Sequence, residues 1–402
     1  MISNKKQILL LVFLVLSSLY ISVNSQEMYS PYSMLGLGDI ETRDYSRTSG
    51  MAGIGIGIRE YDYLNAVNPA GLTDLDSLRF IFDISANLKQ SSFSRNSETD
   101  NIFSGNFRKM AFGFRVSRKW SASVGVKPFS DVGYQIYSSQ AIEGSTATKD
   151  IYLEGSGGLY SVYLSNAYKL TPYLSLGINT MYIAGTIHQV ENQVDYLFDK
   201  ESHAAKFYNT FGLQYHKGAL TLGLVYGYKQ KMSLDNTTSI YDSSGTLLEE
   251  NSDRSTTQFI PENIGVGFSL KKNKLVIGAD YQYHKWEGLS SGVSNVKIVD
   301  SHILKAGVGY TPKEEYYRIR RGTQYQFGAS LSRSYIQVKG KDAIGFSVSG
   351  GASLPLSGSL LNIGLEYGNV LKSPSGYIKE SYMMLTINYT LFESWFRRNK
   401  MR

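Results

Sequence analysis

Apolar and polar residues alternate with a period of two along this chain, from Leu78 almost to its end. In Ser359–Val370, every second residue from Leu361 to Tyr367 is apolar or aromatic, and the residues between them are Asn, Gly and Glu. Such alternation sends successive side chains to opposite faces and predicts β-strands with one apolar face. The same pattern recurs in three other stretches, Leu220–Tyr228, Leu275–Tyr283 and Met383–Leu391.

Two kinds of sheet have a single apolar face, a soluble sandwich or barrel and a transmembrane barrel. The opposite face of these strands carries Gly, Ser, Asn and Gln, and charged residues make up only 19% of the chain. Many of the 31 Tyr stand at strand ends on the apolar side. A polar lumen, an apolar outer belt and aromatic girdles are typical of a transmembrane β-barrel. The sequence therefore predicts an all-β membrane protein.

Fourteen strands follow from the alternation, and an even number is expected of a bacterial single-chain barrel. The prediction is thus a 14-stranded antiparallel transmembrane β-barrel. Its strands are expected near 78–90, 107–117, 120–141, 150–170, 173–191, 206–216, 219–236, 257–270, 274–288, 301–311, 323–337, 343–354, 359–370 and 380–392.

Short and long connections alternate along the chain, as expected for periplasmic turns and extracellular loops. Two connections break this rule: 312–322 is long on the short-turn side, and 338–342 is short on the loop side. The short turns are 118–119, 171–172, 217–218, 271–273 and 355–358, and the longer loops are 91–106, 192–205, 237–256, 289–300 and 371–379.

The N-terminus has the pattern of a secretory signal peptide. Lys5 and Lys6 precede the apolar run Ile8–Leu16, and small residues follow up to Ser25. We expect cleavage after Ser25, the alternative being an uncleaved anchor, for which the run is short. The predicted organisation is a signal peptide (1–25), an N-terminal segment (26–77), the barrel (78–396) and a basic periplasmic tail (397–402). The net charge of +7 is too small to indicate nucleic acid as a partner.

The segment 26–77 is not strand-like and contains two motifs. The stretch 49–60 reads SGMAGIGIGIRE, and Asn68, Pro69, Ala70, Gly71 and Leu72 follow shortly before the first strand. A phosphate-binding loop is a weak alternative, because the spacing of a third glycine and a βαβ unit are missing. Asn-Pro-Ala-Gly by itself predicts a turn or a capped helix start.

Together these motifs resemble the FadL-type outer-membrane transporters of fatty acids and other hydrophobic compounds. The resemblance implies an N-terminal plug, or hatch, that contains the NPAGL motif and fills the barrel. It also implies a kink in the third strand that opens the wall sideways. The matching interruption in this chain contains Pro128, Phe129, Ser130, Asp131 and Gly133. A tight turn between two separate strands is the alternative, which would give fifteen strands, an odd number.

The stretches 29–39 and 155–170 resemble a branch of this family common in Bacteroidetes-type bacteria. In that branch, some members serve outer-membrane machines rather than uptake. Two functions are therefore expected: passive uptake of hydrophobic compounds such as fatty acids, or a non-transporting subunit or scaffold of a secretion or barrel-assembly complex. The implied partners are outer-membrane lipids, a hydrophobic small-molecule ligand, and outer-membrane proteins or lipoproteins.

Alternation also places charged and glycine residues on the lumen face. The charges predict a polar network that seats the plug, and glycines predict a close approach of the plug to the wall. Neither a catalytic motif nor a metal-ligand spacing is present, so no enzyme activity and no cofactor are expected. The predicted lumen charges are Asp83, Arg115, Lys229, Asp280, Lys305 and Glu366, and the glycines are 113, 125, 177, 212, 223, 265, 278, 307, 328 and 364.

Overall fold

The computed structural model describes residues 30–77, 79–95, 98–141, 148–193, 195–286, 296–312, 322–374 and 377–394. The predicted signal peptide, the periplasmic tail and most of the charged connection 312–322 lie outside these residues. Three short 3₁₀ helices span Pro31–Met34, Ser49–Met51 and Pro69–Asp74. The strands are β1 Asp39–Ile40, β2 Arg79–Arg95, β3 Glu98–Arg115, β4 Trp120–Asp131, β5 Tyr134–Ala141, β6 Thr148–Lys169, β7 Leu174–Gln193, β8 Tyr196–Lys217, β9 Leu220–Gly227, β10 Gln230–Asp242, β11 Leu247–Ile260, β12 Glu262–Lys272, β13 Leu275–Lys285, β14 Val296–Ile298, β15 Ser301–Tyr310, β16 Gln324–Val338, β17 Lys341–Leu356, β18 Ser359–Lys372 and β19 Lys379–Ser394.

The wall is a closed antiparallel barrel, because β19 pairs with β2 along its whole length. Four strands of the wall are built from two consecutive pieces each: β4 with β5, β9 with β10, β11 with β12, and β14 with β15. Both β4 and β5 pair with β6, so they form one interrupted strand rather than two. Counted this way, the wall has fourteen strands, which confirms the predicted fold class.

The two ends of the barrel differ in the length of their hairpins. The short turns lie within two residues of their predicted positions; the turn between β8 and β9, predicted at 217–218, is at 218–219. At the other end, the predicted loops 91–106, 192–205 and 237–256 are wrong, because strands occupy most of these residues and form tall hairpins. These stretches are mostly polar, so the apolar alternation that marks a strand is absent although the ladder continues.

The outward face of the wall is apolar. Exposed Leu, Ile, Val, Met, Phe, Tyr or Trp side chains project outward from every one of the fourteen wall strands in the described residues. A surface of this kind around a closed sheet suits a lipid environment and not water. Within the described residues, no helix has the length and apolar character that a membrane-spanning helix needs.

Residues 30–77, which we call the inner segment, lie inside the barrel. Ile54, Ile56, Ala70, Leu72 and Asn68 in this segment are completely buried, with an exposed fraction of 0%. The segment contacts inward-facing positions on strands all around the wall, from β3 through β8 and β12 to β18. A segment that touches opposite sides of a closed sheet can only lie within it.

Inward-facing glycines form a belt that lets the inner segment approach the wall. All the predicted lumen glycines except Gly125 have their nearest neighbouring atom in residues 49–70. A Cβ on Gly328 would lie 2.4 Å from the backbone nitrogen of Ala52, and one on Gly223 would lie 2.0 Å from the carbonyl oxygen of Ile56. Two backbones therefore touch at the belt, which explains why glycine is kept in strands that it destabilises.

Alanine at a belt position should destabilise the barrel. We expect Gly328→Ala to lower the free energy of unfolding by about 1–3 kcal/mol, since the new methyl group overlaps backbone and cannot be relieved by a rotamer change. Thermal unfolding of the detergent-solubilised protein measures this. Gly350→Ala is the matched control, because a Cβ there meets its nearest atoms at 3.8 Å. Equal melting temperatures for the two variants would contradict close backbone contact at the belt.

Candidate functional site

The NPAGL motif forms a capped 3₁₀ helix in the middle of the barrel. Asn68 is the N-cap, and its side-chain oxygen accepts a hydrogen bond from the Ala70 N–H at 3.1 Å. Pro69 begins the helix, where a missing N–H costs nothing. The side-chain Nδ2 of Asn68 donates a hydrogen bond to the Ile56 carbonyl at 2.9 Å. The motif therefore connects the two glycine-rich halves of the inner segment.

Charged side chains of the wall hold the inner segment in place. The Asp280 carboxylate accepts hydrogen bonds from the N–H groups of Gly55 (2.6 Å) and Ile56 (2.9 Å). Glu366 forms an ion pair with Arg43 and accepts a hydrogen bond from Tyr382. Lys305 is buried opposite Asp280 in the ladder between β13 and β15. These three predicted lumen residues thus face the interior.

The buried Lys109 joins another predicted residue, Asp83, to the inner segment. Its Nζ lies 2.9 Å from a carboxylate oxygen of Asp44 and 2.8 Å from one of Asp83. It also donates to the Leu64 carbonyl at 3.3 Å. The Lys109 and Asp44 side chains are each only 2% exposed, so this three-residue cluster is shielded from water.

Two predicted lumen charges lie elsewhere. Lys229 is exposed between β9 and β10, with its Nζ 4.8 Å from the centre of the Phe259 ring, so its lumen placement is wrong. The strand is interrupted at this point, which ends the alternation used to assign its face. Arg115 lies at the short-turn rim, where it donates to the carbonyl of Ser117 at 3.0 Å and to that of Leu75 at 3.5 Å.

The wall is interrupted next to the predicted kink. β3 pairs with β4 only from Met110 to Arg115, and the ladder stops at Val126, just before Pro128. Beyond this point no part of β3 in the described residues pairs with β4 or β5, which remain attached to β6. Proline lacks an N–H, so it suits a position whose outer edge has no partner strand. We call this interruption between β3 and β4–β5 the wall break.

The inner segment fills the lower end of the wall break. Its strand β1 pairs antiparallel with Ser130 and Asp131 of β4. The Glu41 N–H then donates to the Phe129 carbonyl at 2.9 Å, and the Ser30 N–H donates to the Gly133 carbonyl at 2.7 Å. The predicted kink residues therefore bind the inner segment with the backbone groups that β3 leaves unpaired.

An ion cluster bridges the wall break. Arg108 of β3 lies 2.8 Å from Asp131 of β4 and 3.4 Å from Glu41 of the inner segment. A register shift opposite Ser85 and Ala86 leaves Arg108 without a partner in the ladder. This bulge turns both Arg108 and Lys109 inward, where each is at most 2% exposed.

Part of the interior beside the wall break is apolar. Phe129, Leu159, Met181, Tyr208 and Ile260 belong to one buried cluster on β4, β6, β7, β8 and β11. A cavity of about 110 Å³ opens against this cluster and is also lined by Ile40 and Val67 of the inner segment and by Pro128. The lumen is therefore not polar all round, contrary to the expectation from the alternation.

Sequence reasoning missed both Arg108 and this apolar interior. Strict alternation places Arg108 with Met110 and Phe112 on the lipid face, where an arginine is costly. That conflict was the available signal of a bulge. The inward apolar residues carry no comparable signal, because a strand that is apolar on both faces does not reveal which side has the cavity.

Removing the buried lysine should destabilise the protein strongly. Lys109→Met leaves the carboxylates of Asp44 and Asp83 buried without their cation, and breaking a buried ion pair costs about 3–5 kcal/mol. Thermal or urea unfolding of the purified barrel measures the loss. Arg254→Met is the control, since the Arg254 side chain is 89% exposed and its partner Asp235 is 63% exposed, and such a pair is worth about 0–1 kcal/mol. A similar loss in both variants would refute a special role for the Lys109 cluster.

Three solved structures share this architecture and are distant in sequence. A Pseudomonas aeruginosa FadL homologue is 11% identical with a TM-score of 0.62, covering 90% of this chain and 100% of that one. The Pseudomonas putida toluene transporter TodX is 13% identical, with a TM-score of 0.60 and coverage of 90% and 100%. The Ralstonia pickettii toluene transporter TbuX is 15% identical, with a TM-score of 0.57 and coverage of 87% and 98%. The resemblance to FadL-type barrels is thus confirmed for the fold.

Comparison with protein families gives a match along the length of the chain. No curated protein matches the chain, and the Bacteroidetes-type branch stays a prediction. The BamG family model, in contrast, matches residues 1–402, which is the entire sequence given. The chain therefore belongs to the BamG family.

Proposed function

We propose that this protein is an outer-membrane barrel that passes small hydrophobic molecules between its apolar cavity and the lipid, through the wall break. The observation that carries the proposal is the contact between the two features. Lys127, Pro128 and Phe129, at the edge of the break, also line the cavity. The proposal includes no catalytic step and no cofactor.

The wall break lies at a depth where lipid can reach it. Six residue pairs join β3 to β4 below the break, from Met110–Val126 to Arg115–Ser121. At ~3.4 Å per residue and a tilt of ~40°, six residues rise about 15 Å. The apolar band of an outer-membrane barrel is about 25 Å tall, so the break begins inside the band. Exposed Phe107 and Met110 flank it on the lipid side.

A route through the side of the barrel also agrees with the contacts that the inner segment makes across the barrel axis. The glycine belt brings the backbone of the inner segment into contact with strands all round the wall, at Gly223, Gly307 and Gly328 for example. Among the described residues, these contacts obstruct the axis of the barrel at that level. A ligand that enters the cavity from above can avoid the belt by leaving through the wall.

The cavity suits a small apolar ligand. An engineered apolar cavity of about 150 Å³ in another protein binds benzene, so a volume of about 110 Å³ is of the right order for a single ring or a short chain. TodX and TbuX are toluene transporters, and toluene is a single-ring molecule that agrees with the volume of this cavity. Long-chain fatty acids would need the cavity to widen.

Filling the cavity should block uptake. Met181 lines it on β7, so Met181→Trp replaces the space for the ligand with an indole ring. We expect uptake of labelled toluene by cells that carry this variant to fall about tenfold or more, the equivalent of about 1.4 kcal/mol of binding. Leu164→Trp adds the same ring at an exposed position on β6 and should leave uptake unchanged. Unchanged uptake in Met181→Trp would exclude passage through this cavity.

Weakening the ion cluster should open the break. Asp131→Asn removes the carboxylate nearest to Arg108 and leaves Glu41, at 3.4 Å, as the other carboxylate of the cluster. We expect faster amide hydrogen exchange in 39–41 and 127–131, together with faster toluene uptake. Asp342→Asn is the control, since its pair with Arg333 is partly exposed and far from the break in sequence. Slower uptake in Asp131→Asn would show that the cluster does not hold the break closed.

A role as a subunit of an outer-membrane complex is the second candidate. Exposed apolar side chains also lie towards the long-hairpin end of the wall, among them Tyr137 of β5 (82% exposed) and Leu247 and Leu248 of β11. Exposed aromatic and aliphatic residues outside lipid are common at protein interfaces. Native pull-down that yields stoichiometric partner proteins supports this role, and a lone monomer on native gels contradicts it.

A further inference from the structure

Three polar side chains form a strip on one wall of the apolar cavity. Asn263 of β12 and both Gln282 and His284 of β13 line the cavity. Asn263 lies directly opposite His284 in the ladder, and Gln282 is paired with Gly265 one inward-facing position further along. Side chains at such positions share a face and are close neighbours. They lie in the part of the wall formed by β12 and β13, whereas the break is beside β4.

Gln282 and His284 of this strip are buried and Asn263 is partly buried, and two of the strip's side-chain oxygens lack hydrogen-bond partners among the described residues. Gln282 is 5% exposed and His284 is 4% exposed. The carboxamide oxygens of Asn263 and Gln282 have no partner among the described residues. By comparison, the Asn65 amide in the inner segment is bonded at both ends, to the Gly55 carbonyl and from the Val67 N–H. Buried polar groups are normally paired, so these two oxygens are available to accept hydrogen bonds from a group placed in the cavity.

The apolar part of the cavity lining indicates which kind of ligand could carry a polar group to the strip. Phe129, Met181, Val225 and Ile260 provide an apolar surface in the same cavity. A molecule that satisfies both parts of the lining has an apolar body and one small polar group. A hydroxyl both donates and accepts, so it can pair with a carboxamide in either orientation and with an imidazole ring.

Two of the three Lys, Arg, Asp or Glu residues in the cavity lining already have ion-pair partners. Arg43 forms an ion pair with Glu366, and Glu41 lies 3.4 Å from Arg108. Lys127 is the remaining charged residue of the lining and is on β4. The strip itself consists of two amides and one imidazole, which favours a neutral polar group over an anion.

We propose that the cavity binds small apolar molecules that carry a hydroxyl group, and that Asn263, Gln282 and His284 hydrogen-bond this hydroxyl. The inference rests on the proposed function, because it specifies the ligand of the same cavity. A pure hydrocarbon leaves the strip buried and unpaired, and a site with unpaired polar groups discriminates against ligands that cannot bond them.

Phenol and toluene are a matched pair of probes, since a hydroxyl replaces a methyl group of nearly the same size. We expect the purified protein to bind phenol about 3–10 times more tightly than toluene at equal free concentration, the ratio for one net hydrogen bond. Calorimetric titration in detergent, with each probe's partition into empty micelles measured separately, gives both dissociation constants.

Leucine substitutions locate the preference in the strip. Gln282→Leu and Asn263→Leu should abolish or reverse the preference for phenol, while toluene binds at least as well as before. Gln258→Leu is the matched control, because the Gln258 oxygen also lacks a partner but lines another cavity near residues 34–36. In Gln258→Leu, the ratio of the toluene and phenol dissociation constants should equal that of the unmodified protein. Melting temperatures confirm that each variant is folded.

Each other result has a definite meaning. Equal or tighter binding of toluene by the unmodified protein overturns the inference and leaves the proposed function standing. If benzoate binds more tightly than phenol, Lys127 recognises an anion and the strip is not the determinant, so the inference fails. If neither phenol nor toluene binds, the proposed function fails with it. A phenol preference that persists in Gln282→Leu and Asn263→Leu also overturns the inference.

Discussion

A backbone amide or carbonyl inside a bilayer has no water to bond, so it must find its partner within the protein. The closure of β19 on β2 meets this requirement for most of the wall. At the wall break the inner segment meets it instead, because β1 pairs with Ser130 and Asp131 and Glu41 bonds to Phe129. On another side, the Gln230 side chain donates to the Phe207 carbonyl at 2.8 Å, where β8 passes from β9 to β10. The inner segment thus takes part in the backbone hydrogen bonding of the wall and also lies in the interior of the barrel.

Much of the barrel could be predicted from the sequence, for one physical reason. Lipid on one side and a packed interior on the other impose a period of two on every strand, and this period is readable in stretches such as Ser359–Val370. The strand count, the short turns and the inward glycines all follow from it. So does the interruption at Pro128, since proline removes a donor from the ladder. The tall hairpins were missed because the same period ends where the lipid ends.

The parts of the site that could not be predicted depend on departures from that period. The bulge at Arg108 shifts the face of every later residue by one, and only the conflict between an arginine and a lipid face hints at it. Lys229 was misplaced for the same kind of reason, at the interruption between β9 and β10. The cavity beside Met181 depends on how the inner segment packs against β7 and β8, and this long-range arrangement has no local signature.

The glycine belt also constrains the order in which the molecule can assemble. Ser49 lies against Gly364 of β18, Ile54 against Gly278 of β13, and Ala70 against Gly177 of β7, so one short stretch of chain follows most of the circumference. With backbone touching backbone at the belt, a finished cylinder has no clearance through which Met51 or Ile56 can be threaded. The inner segment must therefore be in position when the last strand joins the first. The glycine belt therefore couples the closure of the barrel to the placement of the inner segment, while the number and stagger of the strands set its diameter.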